Sequence, residues 1–77
     1  MGVPAYQRVY DGIVAKIKAG EWKPGHRMPR IVDLAELFDV GTTTVKTAIM
    51  FLVREGWVRG QQGKALYVAD EPPIGDE

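Results

Sequence analysis

A run of threonines and a lysine in the middle of the chain has side chains suited to contacting a nucleic acid. The run comprises Thr42, Thr43, Thr44, Lys46 and Thr47. Short hydroxyls and methyls can contact base edges in a major groove, and a cation can meet phosphate oxygens. Thr42 to Thr44 fall at a predicted helix start, where free backbone N–H groups can also meet a phosphate. The spacing of these residues therefore predicts a nucleic-acid interface.

Two amphipathic segments would hold this run in place. Their apolar residues recur at spacings of three and four on either side of a break at residues 39–41, which predicts helices over 30–38 and 42–55. These residues are Ile31, Leu34, Ala35, Phe38, Val45, Ala48, Ile49 and Leu52. Two helices joined by a short turn containing glycine form the helix-turn-helix pattern. The alternative is that two helices with polar outer faces form only a small helical core.

The remaining segments complete a winged helix-turn-helix, an α+β fold with three helices and a small antiparallel β-hairpin wing. The apolar periodicity of residues 4–19 predicts a first helix that stops at Gly20. Residues 26–28 could pair as a short strand with a later segment. Alternating residues at 57–59 and 65–69 predict the hairpin, with a bulge or bend at Gly60.

The tip of the hairpin comprises Gln61, Gln62, Gly63 and Lys64, and Gly63 can take positive φ there. A small tip of this kind can lie over a nucleic-acid backbone or enter a minor groove without steric cost. The alternative is a polar hairpin exposed to solvent.

Composition excludes several other classes of function. The chain has 77 residues, no cysteine and a single histidine, His26, so we expect one domain with no metal, cofactor or catalytic site. No apolar run is long enough to span a membrane, and the first ten residues lack the apolar core of a signal peptide. A cytoplasmic protein is the expectation.

The formal net charge is zero, but the charges are unevenly distributed. All ten basic residues precede residue 70, against six of the ten acids, so residues 1–69 carry a net charge of +4. Residues 41–69 hold four bases and one acid, which concentrates positive charge in and after the last helix. We therefore expect a nucleic-acid-binding domain over 1–69 and an acidic, proline-rich tail or linker over 70–77.

Residues 4–69 resemble the DNA-binding domain of the gluconate-repressor (GntR) type of bacterial transcription regulators. The order and spacing of several short motifs carry this resemblance. They are Tyr6-Gln7, Ile17-x-x-Gly20-Glu21, Pro24-Gly25-His26-Arg27-Met28-Pro29, Asp33-Leu34-Ala35, Val40-x-x-Thr43-Thr44-Val45-Lys46-x-Ala48-Ile49, Leu52, Glu55-Gly56-Trp57-Val58 and Gln62-Gly63-Lys64.

The resemblance implies sequence-specific binding of double-stranded DNA for transcriptional regulation, with repression as the expected consequence. The third helix would lie in the major groove and the wing at the minor groove. At three positions this chain departs from residues frequent in the family, because Val32, Thr42 and Lys46 stand where arginine is common. Arg30 replaces the usual N-cap serine and could supply a phosphate contact instead. We expect similar docking with weaker or altered base readout.

Three questions stay open at this point. Met50 and Phe51 lie off the apolar stripe of the third helix, so they either widen the core or form a patch for a second copy or a partner protein. The family adds an effector-binding and dimerising domain, so the chain is either an isolated domain of a longer regulator or a stand-alone relative. A homodimer on DNA, with no small-molecule effector site in this chain, is the expectation. The alternative function is a protein-interaction winged helix with weak or no DNA binding.

Overall fold

The computed structural model describes residues 2–60 and 65–73. Along the chain it has α1 (Ala5–Lys18), α2 (Ile31–Phe38), α3 (Thr42–Glu55), β1 (Val58–Gly60) and β2 (Leu66–Val68). The three predicted helices and the predicted antiparallel hairpin are confirmed, so the chain is a winged helix-turn-helix. The predicted tip residues Gln61, Gln62, Gly63 and Lys64 lie outside the described residues.

Each helix ends where its sequence favours a change of backbone direction. Pro4 precedes α1, and its carbonyl accepts the N–H of Arg8 at 3.2 Å. Gly20, with a φ of 83°, follows α1, and Gly56, with a φ of 90°, follows α3. Asp39 ends α2 in the left-handed region at a φ of 57°, which aspartate tolerates better than most side chains. This left-handed residue turns the chain into the start of α3.

Strand β2 pairs with a segment on each of its two edges. β1 and β2 pair antiparallel in the register Val58↔Val68, Arg59↔Tyr67 and Gly60↔Leu66. On its other edge β2 pairs with the segment before α2, because the N–H of Val68 donates to the carbonyl of His26 at 2.9 Å. The pairing predicted for residues 26–28 is therefore confirmed, as an isolated antiparallel bridge between Arg27 and Tyr67. It joins the wing to the segment that precedes the helix-turn-helix.

Gly60 does not interrupt this register, so the bulge or bend predicted there is wrong within the described strand. A Cβ at Gly60 would lie 3.3 Å from Cδ2 of Leu66. The absence of a side chain therefore serves close packing across the hairpin.

The core is one apolar cluster shared by all three helices and the sheet. Its buried members are Val9, Ile13, Ile17, Met28, Leu34, Ala35, Val45, Ala48, Ile49, Leu52, Trp57, Val58 and Val68. Trp22 packs half-buried against the cluster, and Lys16 lies over its ring at 5.7 Å. The core therefore holds α3 by one side and leaves its other side uncovered.

Candidate nucleic-acid interface

The outer side of α3 is the surface on which most of the predicted site residues lie. Val45, Ala48, Ile49 and Leu52 are buried beneath it. Thr42, Thr43 and Lys46 are exposed, whereas Thr44 and Thr47 are half-buried. Thr44 is less exposed because it lies on the side of α3 that faces α1. Phe51, seven residues later, lies on the same side. The structure therefore brings the five residues together on one end of α3, with three of them exposed to solvent.

The hydroxyl of Thr47 is already engaged within α3. Its Oγ1 donates to the backbone carbonyl of Thr43 at 3.1 Å, a bond that threonine often makes inside helices. The hydroxyl proton of Thr47 is consequently not available to a partner outside the helix. The lone pairs of the hydroxyl oxygen and the γ-methyl group are not used in this hydrogen bond. In this conformation Thr47 presents an acceptor and a methyl group, and it does not present a donor.

The start of α3 offers backbone donors beside these side chains. Gly41 precedes the helix and supplies no side chain to cap it. The first amides of an α-helix have no partner within the helix, and they carry the positive end of its dipole. An anion such as a phosphate is favoured at this position.

Arg30 lies apart from that cluster. It is the N-cap residue of α2, whereas Thr42 to Thr44 follow the far end of α2, roughly 12 Å away along the helix axis. Its side chain is 75% exposed, and its Nε lies 3.7 Å from Oδ2 of Asp33. An exposed pair at this distance is weak, so Arg30 can exchange Asp33 for a phosphate. A single ligand can contact both Arg30 and the start of α3 only if the ligand is extended.

The wing carries a cation that the sequence reasoning missed. The guanidinium of Arg59 lies 5.4 Å from the centre of the Tyr67 ring, and one of its nitrogens lies 3.9 Å from Oδ1 of Asp70. Arg59 and Tyr67 are directly opposite in the hairpin register. The alternation of residues 57–59 and 65–69 could have predicted that Arg59 and Tyr67 lie side by side, since opposite residues of a hairpin share a face. The predicted wing residues Gln62, Gly63 and Lys64 lie outside the described residues.

The open question about Phe51 and Met50 has two different answers. Phe51 stacks on Tyr6 of α1 with ring centroids 5.5 Å apart, and Arg54 lies over the Phe51 ring at 5.8 Å. Phe51 therefore widens the contact between α1 and α3. Met50 is 53% exposed and points with the outer side of α3. Met50 and Arg54 extend that side beyond the residues singled out from the sequence.

A cleft of about 300 Å³ lies between α1 and α3, next to the Tyr6–Phe51 stack. On its wall the hydroxyl of Tyr10 donates to a carboxylate oxygen of Glu55. This hydrogen bond, together with burial, raises the pKa of Tyr10 above its ordinary value. The contacts around the cleft connect the last turn of α3 to α1.

Two comparisons with known proteins agree with this geometry. The sequence profile described as bacterial regulatory proteins, gntR family, matches residues 5–68. The DNA-binding domain of AraR, solved in complex with operator ORR3, superimposes with a TM-score of 0.85 at 30% identity, covering 90% of this chain and 83% of that one. YtrA from Sulfolobus acidocaldarius, a GntR-family transcription factor, superimposes with a TM-score of 0.80 at 34% identity, covering 96% of this chain and 63% of that one.

Several curated relatives are repressors, and two of them illustrate the similarity. The chain is 33% identical over 67 residues to the histidine utilization repressor of Pseudomonas aeruginosa, covering 87% of this chain and 27% of that protein. It is 35% identical over 68 residues to the mannosyl-D-glycerate transport/metabolism system repressor MngR of Escherichia coli, covering 88% of this chain and 28% of that protein. The chain thus spans little more than a quarter of the length of either repressor.

The fold and the exposed side of α3 define a winged helix-turn-helix domain of the class found in transcription regulators. The chain belongs to the gntR family of bacterial regulatory proteins. This is a family of regulators and not of enzymes. Among the described residues, no helix has the length and apolar character that a membrane span requires.

Proposed function

We propose that this domain binds double-stranded DNA in a sequence-specific manner and thereby regulates transcription, acting as the DNA-reading part of a repressor. The observation that carries the proposal is the uncovered start of α3, where Thr42, Thr43 and Lys46 stand exposed beside free backbone amides. Family membership supports it, as do the repressors among the relatives and the operator complex of the AraR domain.

In the proposed mechanism, α3 enters the major groove with its first two turns. The amides at the start of α3, together with Lys46, meet phosphates. Thr43, Thr44 and Thr47 contact base edges through hydroxyl oxygens and methyl groups. Because Arg30 is separated from the start of α3, it contacts a different phosphate, further along the duplex. The wing, with Gln62, Gly63 and Lys64 at its tip, lies at the minor groove.

A single domain of this size makes few base contacts, so we propose that two copies bind a two-fold symmetric site. The half-sites would lie about one helical turn apart or a multiple of it, because the two copies must approach the same face of the duplex. Paired half-sites multiply the contacts and bring the affinity into a useful range.

Residues 1–69 form the binding domain in this proposal, and residues 70–77 are a tail or linker to another part of the regulator. The domain works in the cytoplasm, where bacterial DNA lies. It needs no cofactor, has no catalytic role, and leaves the sensing of any small molecule to another domain.

A second candidate is a protein-interaction module. The exposed apolar side chains of Val32 and Met50, which are 50% and 53% exposed, favour it, as does the zero net charge of the chain. A titration with mixed-sequence duplex DNA at low salt separates the two functions. A DNA-binding domain gives a salt-sensitive signal even with non-specific duplex, and a pure interaction module gives none.

The test of the proposed face is the substitution Lys46→Ala. We expect weaker binding and a log–log salt slope smaller in magnitude by about 0.9, because the variant neutralises one phosphate fewer. Fluorescence anisotropy with a labelled duplex at several salt concentrations measures both. The matched control is Lys23→Ala, which removes an exposed lysine from the turn between α1 and α2. Unchanged affinity and slope in Lys46→Ala would show that the face is wrong.

A further inference from the structure

The outer side of α3 has a line of methyl-bearing side chains. Thr43, Thr47 and Met50 are spaced four and three residues apart, so they follow one another on successive turns of the same face. That face is opposite the buried residues Val45, Ala48, Ile49 and Leu52. We refer to Thr43, Thr47 and Met50 as the methyl line.

The polar groups along the methyl line are few. The hydroxyl proton of Thr47 is donated to the carbonyl of Thr43. Met50 has only a thioether, a weak acceptor, and is 53% exposed. What this line offers a partner is therefore mainly methyl surface, with hydroxyl oxygens at its start.

Cations that could read guanine are equally few. The first arginine of α3 is Arg54, in the last turn, and its guanidinium lies over the Phe51 ring. Lys46 is the remaining cation of α3, and an ammonium cannot make the planar bidentate contact that arginine makes to guanine. Arginine, whose planar pair of donors reads guanine, is thus missing from α3 before its last turn.

The length of the methyl line fits a groove. Seven residues from Thr43 to Met50 rise about 10 Å, comparable with the roughly 12 Å width of the major groove. In that groove thymine alone among the four ordinary bases presents a methyl group. An apolar line of this length can contact more than one thymine.

We propose that the methyl line reads the 5-methyl groups of thymines, and that Met50 contacts one of them. The half-site is therefore rich in A·T pairs where α3 lies, and discrimination there comes from apolar contact. This inference rests on the proposed function, because it names the base chemistry recognised by the same face.

The experiment begins with selection of bound sequences from a random duplex pool by the 77-residue chain at low salt. Each thymine of the selected half-site is then replaced singly by uracil, which lacks the 5-methyl group and keeps the pairing. We expect two or more positions at which uracil weakens binding about three- to five-fold, the order expected for exposing one methyl group. Uracil outside the half-site serves as the DNA control and should change nothing.

Met50→Ala then assigns one contact. In this variant, one uracil-sensitive position should become insensitive, while the other positions keep their sensitivity. Val53→Ala is the matched control, since Val53 is an exposed apolar residue of α3 that lies off the methyl line. It should leave every uracil effect in place.

The outcomes separate this inference from the proposed function. Tight, selective binding with no effect of uracil overturns the methyl readout and leaves DNA binding standing. The absence of binding to any duplex at low salt overturns both. If Met50→Ala abolishes self-association at high protein concentration and leaves all uracil effects unchanged, Met50 belongs to a protein interface and its assignment to DNA is overturned.

Discussion

At Gly12, in the middle of α1, the neighbouring ring of Phe38 leaves no room for a side chain. A Cβ built there would lie 2.9 Å from Cζ of Phe38, at the end of α2. Glycine lowers helix propensity by up to about 1 kcal/mol relative to alanine, but it leaves room for this ring. The missing side chain at Gly12 thus sets how near α2 packs to α1.

We predict that Gly12→Ala destabilises the fold. The gain in helix propensity is up to about 1 kcal/mol, while overpacking costs typically about 1–3 kcal/mol, so the free energy of unfolding should fall by about 1 kcal/mol. Urea denaturation followed by circular dichroism measures it. In a Phe38→Leu background the obstructing ring atoms are gone, and the same substitution should stabilise. Stabilisation in both backgrounds would mean that the Phe38 ring yields without cost.

At the scale of elements, α1 acts as the support of α3. The Tyr6–Phe51 stack holds the middle of α3, and the hydrogen bond from Tyr10 to Glu55 holds its last turn. Because α3 is the proposed reading helix, these contacts fix its position against α1. Preorganisation of this kind reduces the entropy cost of binding.

We predict that Tyr10→Phe lowers the free energy of unfolding by about 0.5–1 kcal/mol at neutral pH, the range for one partly exposed hydrogen bond. The pH dependence follows from the raised pKa of Tyr10, which the bond to Glu55 and burial produce. The folded state favours the neutral phenol, so this contribution is complete below about pH 10 and is lost as pH rises through the raised value.

Urea denaturation at about pH 7 and at about pH 10.5, on either side of the ordinary tyrosine pKa, tests this. The unmodified chain should lose more stability between the two pH values than Tyr10→Phe does. Glu55→Gln keeps an amide oxygen that accepts the bond without the charge, so its loss of stability at neutral pH should be smaller than that of Tyr10→Phe. Equal pH dependence in the unmodified chain and in Tyr10→Phe would contradict the assignment.

At the scale of the whole molecule, the first acid of residues 70–77 lies beside the wing. Asp70 lies beside Arg59, which is held over the Tyr67 ring, so one tail carboxylate partly neutralises a wing cation. This ion pair offsets one of the positive charges of residues 1–69. It also places negative charge next to the surface on which the proposed duplex would lie.

We predict that Asp70→Asn strengthens DNA binding about two-fold, because an exposed ion pair is worth at most about 1 kcal/mol and its removal frees Arg59. Glu71→Gln is the control, since it makes the same change in net charge at the neighbouring position. Anisotropy titrations at fixed salt compare the two. Equal gains would indicate that the tail acts through overall charge alone.

The elements of the fold could be predicted because each is specified by local patterns. The apolar spacing of α2 and α3 fixes which side of each helix is buried, and glycines at positive φ follow the ends of α1 and α3. The pairing of residues 26–28 was also foreseeable, because two prolines and a Pro-Gly turn exclude a helix there. These features depend on residues that are close in the chain.

The site was only partly predictable. The exposure of Thr43 and Lys46 follows from helical periodicity, but the hydrogen bond that engages Thr47 depends on a rotamer choice that no spacing reveals. Arg59 was not singled out from the sequence because its contacts depend on the Tyr67 ring and the Asp70 carboxylate, which come from a later segment of the chain. The separation of Arg30 from the start of α3 likewise requires knowing how α2 is oriented.

The sequence by itself determined the helices, the hairpin and the polar side of α3, since backbone propensity and side-chain periodicity act over a few residues. Only the tertiary structure decided which of those polar groups remain free, which ring supports Phe51, and which carboxylate meets Arg59. These outcomes depend on distances between elements far apart in the chain, and packing of the shared core sets those distances.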